Sequence, residues 1–174
     1  ELYMNSAAME MVGVVAEDVK PGMQINVERG HFYEGGLGYA INRLNPWILA
    51  PDKYAAGLQR LKQVVHHGGH TSIGDLATGM FNFSSEAEAL SQYLEGDDVP
   101  FRTRLVAHGT VLTKGGVPPT QGPELAEALL QRNSHRLHFG RHIKLFSDGA
   151  FFSQLAQLQQ PGYIDGHSGE WLTT

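Results

Sequence analysis

The sequence has no cysteine among its 174 residues. That excludes disulfides, thiolate metal ligands and a cysteine nucleophile together. It leaves the redox compartment undetermined, because a chain without thiols fits either. The sequence also lacks any apolar run approaching the roughly 20 residues that span a bilayer. Its first residues, ELYMNSAAMEM, have neither the basic start nor the long apolar centre of a signal peptide. No membrane partner is expected, and the compartment stays at the cytoplasm by default. A cationic excess is missing too, since 13 Lys and Arg stand against 18 Asp and Glu, a formal net charge of -5. Without a basic stripe or an aromatic-rich basic cluster to follow a phosphate backbone, nucleic acid is not an expected partner. What is present, 41% hydrophobic residues in a chain of this length, suffices for one domain around a main core. Glu1 is not a start methionine, and the chain stops at EWLTT, just after an apolar Trp171-Leu172 pair that reads like a strand beginning. The expectation is a fragment.

Punctuation and periodicity divide the chain. Asn5 or Ser6 can cap a short helix through Gly13, and Lys20-Pro21-Gly22 marks the next interruption. Residues 23 to 36, MQINVERGHFYEGG, alternate around Ile25, Val27 and Phe32 and predict one or two short strands, with Glu34 at their end. Asn45-Pro46 predicts a second break. From Pro51-Asp52 the spacing of Tyr54, Leu58, Leu61 and Val65 predicts a helix that Gly68 ends. Thr71 to Asp75 reads as a buried strand. Ser85 with Glu88 makes a capping box for a helix to about Leu94. FRTRLVAHGTVL then predicts a second strand, TKGGVPPTQGP a long loop, and ELAEALLQR a helix. HIKLFSDG, residues 142 to 149, predicts a third strand. Helices that alternate with strands argue for a parallel sheet with right-handed crossovers. The division expected is a leading segment over 1–50 and (β/α) units over 51–174.

The most conspicuous motif is HHGGH, His66 to His70, where three imidazoles within five residues are the ligands a divalent transition metal would choose. Its position argues otherwise. In parallel α/β architectures the active site collects at the carboxyl ends of the strands, and HHGGH is a helix-to-strand loop on the opposite face. His66 and His67 also sit in the last helical turn, where a cation or a donor to the free carbonyls is favourable by roughly 0.3 to 1 kcal/mol. The motif reads as a helix stop. The carboxyl-end candidates are less obvious: Asp75, His108, Lys144 and Asp148. Alternation in the third strand puts Ile143 and Leu145 toward helices and Lys144 and Asp148 toward an interior. A lysine there must lose its proton or pair with a carboxylate such as Asp148. Two readings of that pair stay open, a functional site and a structural ion pair in a non-catalytic α/β binding or interaction domain.

MNSAAMEMVGV, YEGG, HGGHTSIGDLATG, PFRTRLVAHG and above all IKLFSDGAFFSQLAQLQQPGYIDGHSGEW follow one another along essentially the whole chain. In that order they resemble successive motifs of the amidohydrolase superfamily, in particular the amidohydrolase family 3 branch of YtcJ-like proteins and N-substituted formamide deformylases. The resemblance implies part of a metal-dependent (β/α)8 TIM barrel, with Thr71 to Asp75 as strand two, Phe101 to His108 as strand three and Ile143 to Asp148 as strand four. It implies hydrolysis of a C–N bond, in an amide or formamide, through water activated by a divalent metal such as zinc. Lys144 matches the strand-four lysine that binuclear members carbamylate to bridge two metal ions, and Asp75, His108 and Asp148 fall where substrate contacts collect. The family's His-x-His pair, its strand-five and strand-six histidines and its strand-eight aspartate have no counterpart here. The chain alone is therefore expected to be inactive, and to associate with itself or with the remainder of the barrel.

Overall fold

A computed structural model describes residues 1–80, 82–109 and 118–172. The expected reach of the second strand to Leu112 and the start of the loop at Thr113 lie outside them. The chain forms two compact units, Glu1–Ala50 with Phe146–Thr174, and Pro51–Leu145. Residues 146–174, expected to continue the (β/α) segment, thus group with the first fifty.

In the first unit, β1 (Leu2–Tyr3), β2 (Ile25–Asn26) and β3 (His31–Phe32) make a small antiparallel sheet in the order β1-β3-β2. Phe32 faces both neighbours, in register with Leu2 and with Ile25, and it is fully buried among Met4, Val14 and Ala40. Helix α1 (Ser6–Met11) is capped as the sequence suggests, by Asn5 Oδ1 accepting from the Ala8 amide at 2.8 Å. Helix α2 (Gly35–Ile48) corrects the expected break at Asn45-Pro46, because it runs through the proline. Pro46 stands so near the end that its missing N–H costs only one helical bond, and the Leu49 amide closes the turn on the Asn45 carbonyl at 2.9 Å. In the 146–172 stretch, Trp171 forms only an isolated antiparallel bridge to Asp148, where the sequence suggested a strand beginning.

The second unit is a parallel sheet in the order β4-β5-β6, made of β4 (Ser72–Thr78), β5 (Arg102–His108) and β6 (Leu137–Lys144). The alternation of α3 (Pro51–His67), α4 (Phe83–Leu94) and α5 (Gly122–Leu129) with these strands is the expected α/β arrangement. Among the described residues the sheet is three-stranded and open, and no closed barrel is seen. One face is covered. Leu58 and Val65 of α3 and Leu90 and Leu94 of α4 pack on Phe101, Leu105, Leu137 and Phe139. Burying a side chain of this size stabilises by about 1.5 to 3 kcal/mol, so this layer is the main support of the unit.

Two boundaries differ from expectation. β4 continues past Asp75 to Thr78, and the third strand occupies 137–144 instead of 142–149. Leu137 and Phe139 are the residues that alternate into the core, so burial sets the strand there in spite of His138, Gly140, Arg141 and His142 around and after them. Helix α4 is capped by Asn82, not by the Ser85 and Glu88 box. Asn82 Oδ1 accepts from the Ser85 amide, while Glu86 reaches back to the amides of Asn82 and Gly79 at 2.8 and 2.7 Å.

Candidate functional site

The HHGGH motif is a helix stop in geometric detail. The Gly69 amide donates to the His66 carbonyl at 2.9 Å and the His70 amide to the Val65 carbonyl at 3.2 Å, around Gly69 at φ 69°. This pairing of bonds is the Schellman motif, and its left-handed residue favours glycine. The motif enters β4 at its amino end.

The opposite end of the sheet holds the candidates. Thr103, Leu105 and Ala107 of β5 are buried on the helix-covered side, so Arg102, Arg104, Val106 and His108 point to the other face. Between Leu105 and Ala107 the pairing with β6 shifts, from Leu105 level with Phe139 to Ala107 level with Ile143. His108 therefore lies in register with Lys144 at the carboxyl ends of the two strands. His108 is buried and Lys144 half-buried. Gly109 follows His108 directly, and a Cβ there would meet Leu145 Cδ2 at 2.3 Å, so the missing side chain is what lets Leu145 lie against the strand end. Ile143 and Leu145, expected against helices, are 37% and 75% exposed. β6 ends at Lys144, so the alternation that would have turned Leu145 toward the helices is no longer imposed.

Asp75 does not join this pair. It lies level with Leu105, on the helix-covered side, and its carboxylate serves the irregular end of β4. Oδ1 accepts from the Ala77 amide at 3.1 Å and Oδ2 from the hydroxyl of fully buried Thr78 at 2.9 Å. Tyr54 of α3 reports the same placement, since burial first and then the carboxylates of Glu86 and Asp75 push its phenol upward.

Asp148 belongs to the first unit and lies beyond the end of β6, not on a strand with Lys144. The Ser147 hydroxyl donates to Oδ1 at 2.6 Å and the Gln157 amide to Oδ2 at 2.8 Å. These donors, the hydroxyl first, hold its carboxyl below the usual range. The same unit gathers side chains that the sequence did not point to. Gln24 donates through Nε2 to Glu170 at 2.9 Å and accepts at Oε1 from the Gly35 amide at 2.8 Å. Gln24 and Glu34 both have positive φ, 56° and 39°. Burial, opposed by the terminal ammonium and then aided by Glu170, Glu1 and Asp148, pushes the Glu34 carboxyl up. A cavity of about 490 Å³ is lined by Lys20, Gln24, Tyr33 and Glu170 among others. The only sequence signal is Glu34 at a strand end. Gln24 and Glu170 are 146 positions apart, and only folding brings them together.

No protein-family profile and no curated protein matches the chain. Among solved structures, an uncharacterized metal-dependent hydrolase from Pyrococcus horikoshii OT3 aligns over 98% of this chain at 18% identity, with a TM-score of 0.58. The fold is shared with a metal-dependent hydrolase. The chain spans 32% of the length of that protein. No helix among the described residues is long and apolar enough to cross a membrane.

The donors of the site can be tested against a metal. Among the described residues no three His, Asp or Glu side chains converge as an ion site. His108 and Lys144 suit a zinc-like ion in kind, an imidazole and an amine that carbamylation would convert to an oxygen donor. They fall short in number, because a catalytic zinc takes three protein ligands.

Proposed function

We propose that these residues form the strand-two to strand-four sector of a metal-dependent (β/α)8 hydrolase of the amidohydrolase family 3 type, acting on a C–N bond in an amide or formamide. The observation that carries the reading is the register of His108 with Lys144 at the carboxyl ends of adjacent parallel strands, where barrel enzymes collect their chemistry. Support comes from the fold shared over 98% of the chain with a metal-dependent hydrolase. In this reading the other strands and most metal donors come from sequence outside these residues.

Lys144 is the metal-site residue. Addition of carbon dioxide to its deprotonated Nζ, with release of a proton, removes the cost of a half-buried ammonium and presents an anionic carbamate oxygen, a ligand suited to divalent zinc. His108, buried at the neighbouring strand end, orients the small amide substrate. A bound divalent ion supplies Lewis acidity to the amide carbonyl and acidifies water. The contribution of this chain is to fix the lysine and histidine side by side and to carry the substrate contacts.

The test is Lys144→Ala in the intact hydrolase, with metal content read by elemental analysis of folded protein. Bound metal and most activity should be lost together, and short carboxylic acids should restore part of the activity by replacing the missing oxygens. Full metal occupancy in a folded variant refutes the role. The 174-residue chain by itself should not turn over N-acyl or formamide substrates, and steady turnover by it would overturn this division of ligands.

A further inference from the structure

The face of the parallel sheet turned away from the helices is exposed, and its charge runs against that of the chain. The chain carries a net -5, yet the ionisable residues along the body of this face are Arg102, Arg104, His138 and His142, with no carboxylate among them. Arg104 is at the centre. It pairs in register with Gly74 on one side and His138 on the other. A Cβ on Gly140 would meet His142 Nδ1 at 3.0 Å and Arg104 Nη1 at 3.4 Å, so guanidinium and imidazole reach one point above a glycine. Among the described residues Arg104 makes no ion pair, while Arg43, Lys62 and Arg141 each do. Gly74, in register beside Arg104, brings no side chain of its own to this face, and Leu76 Cδ2 lies 3.5 Å from where its Cβ would be.

We propose that Arg104, with His138 and His142, forms a carboxylate-binding site on the open face of the sheet, and that its occupant is an acidic side chain of the segment that covers this face. The fork of guanidinium donors matches a carboxylate in a bidentate pair, and an imidazole beside it adds a third donor. Enclosure makes the partner necessary. A guanidinium covered without a counter-charge would be an uncompensated buried ion. The identity of the covering segment rests on the barrel reading, whereas the affinity for a carboxylate does not, so the two can fail separately.

The experiment uses the 174-residue chain and nitrogen-detected spectra of the arginine and histidine side chains. The probe is N-acetyl-glutamate amide, which carries a single side-chain carboxylate, with N-acetyl-glutamine amide as the neutral control and inorganic phosphate as the alternative anion. Saturable shifts confined to Arg104, His138 and His142 are expected with the glutamate probe and none with the glutamine one. Arg104→Gln should weaken binding at least tenfold. Arg102→Gln, on the same face two residues away, should leave it unchanged, and Arg104→Lys, which keeps the charge but not the fork, should lose most of it. An unsaturable response, equal losses for the Arg102 and Arg104 variants, or phosphate binding tenfold tighter than the carboxylate would each overturn the proposal. Loss of metal in Lys144→Ala is a separate result, and neither outcome there changes this one.

Discussion

Removing the Asp75 carboxylate separates a substrate contact from a structural brace. In Asp75→Ala the Ala77 amide and the Thr78 hydroxyl lose their acceptors, and Thr78 is fully buried. Each stranded buried group costs about 1 to 3 kcal/mol. Ala77 is only half-buried and can find water, so the expected loss is about 2 kcal/mol in all, mostly from Thr78. Trp47 and Trp171 both belong to the first unit, so tryptophan fluorescence would follow the wrong part of the chain. Native-state hydrogen exchange at the β5 amides reports the correct one. A loss of about 2 kcal/mol there corresponds to roughly 30-fold faster exchange. Thr78→Val removes the donor itself, and Asp75→Ala in that background should cost about 1 kcal/mol less than in the parent chain. A second readout is Tyr54, whose phenol should move back toward its ordinary value in Asp75→Asn, because one of the carboxylates that raise it is gone. If Asp75→Ala leaves exchange unchanged and shows no coupling to Thr78, the carboxylate is free of the brace, and a substrate role regains its place.

The HHGGH turn should respond to backbone geometry and not to its imidazoles. Gly69→Ala forces a Cβ into φ 69° and should cost about 1 to 2 kcal/mol by urea melting, whereas the triple change of His66, His67 and His70 to Gln should cost at most about 1 kcal/mol per site and, on the proposed reading, leave the metal content of the full-length protein unchanged. Loss of one metal equivalent in the triple variant would return the ion to this loop. Glu34 sets a pH dependence in the first unit. Its folded pKa lies above the unfolded one, so its contribution is fully present below the ordinary carboxylate range and is lost as pH rises through the raised value. Stability followed by tryptophan fluorescence should fall over that window, and Glu34→Gln should flatten the fall; an identical profile in the variant refutes the assignment.

The architecture is legible because each helix writes its buried face into the sequence. Leu58 with Val65 and Leu90 with Leu94 recur at helical spacing, and the strands between them come in order. The helix stop at Gly68-Gly69 is legible for the same reason, since a left-handed residue has a strong preference for glycine. Three features are not. Pro46 normally breaks a helix, and only its place in the last turn makes it tolerable. The sequence pattern puts β6 too late, because Leu137 and Phe139 stand beside His138, Gly140, Arg141 and His142, a composition that carries no strand signal. Gly74-Asp75 looks like a strand stop, which places Asp75 at a strand end. The strand continues to Thr78, and no short sequence pattern announces the irregularity that Asp75 braces.

That kind of irregularity decides what the candidate site contains. Up to Leu105, each residue of β5 faces the residue of β6 that lies 34 positions on, so Arg104 meets His138 and Leu105 meets Phe139. Had this offset continued, His108 would face His142. After the shift the offset is 36, His108 faces Lys144, and His142 is left beside Gly140 and Arg104. The displacement is by an even number of residues, so every side chain stays on its own face while its neighbour changes. A single backbone event thus assigns the lysine to the histidine at the strand ends and the second imidazole to the arginine at the centre. The lysine–histidine register and the arginine–histidine approach are consequences of the same shift, one at the carboxyl ends of the strands and one at the centre of the sheet.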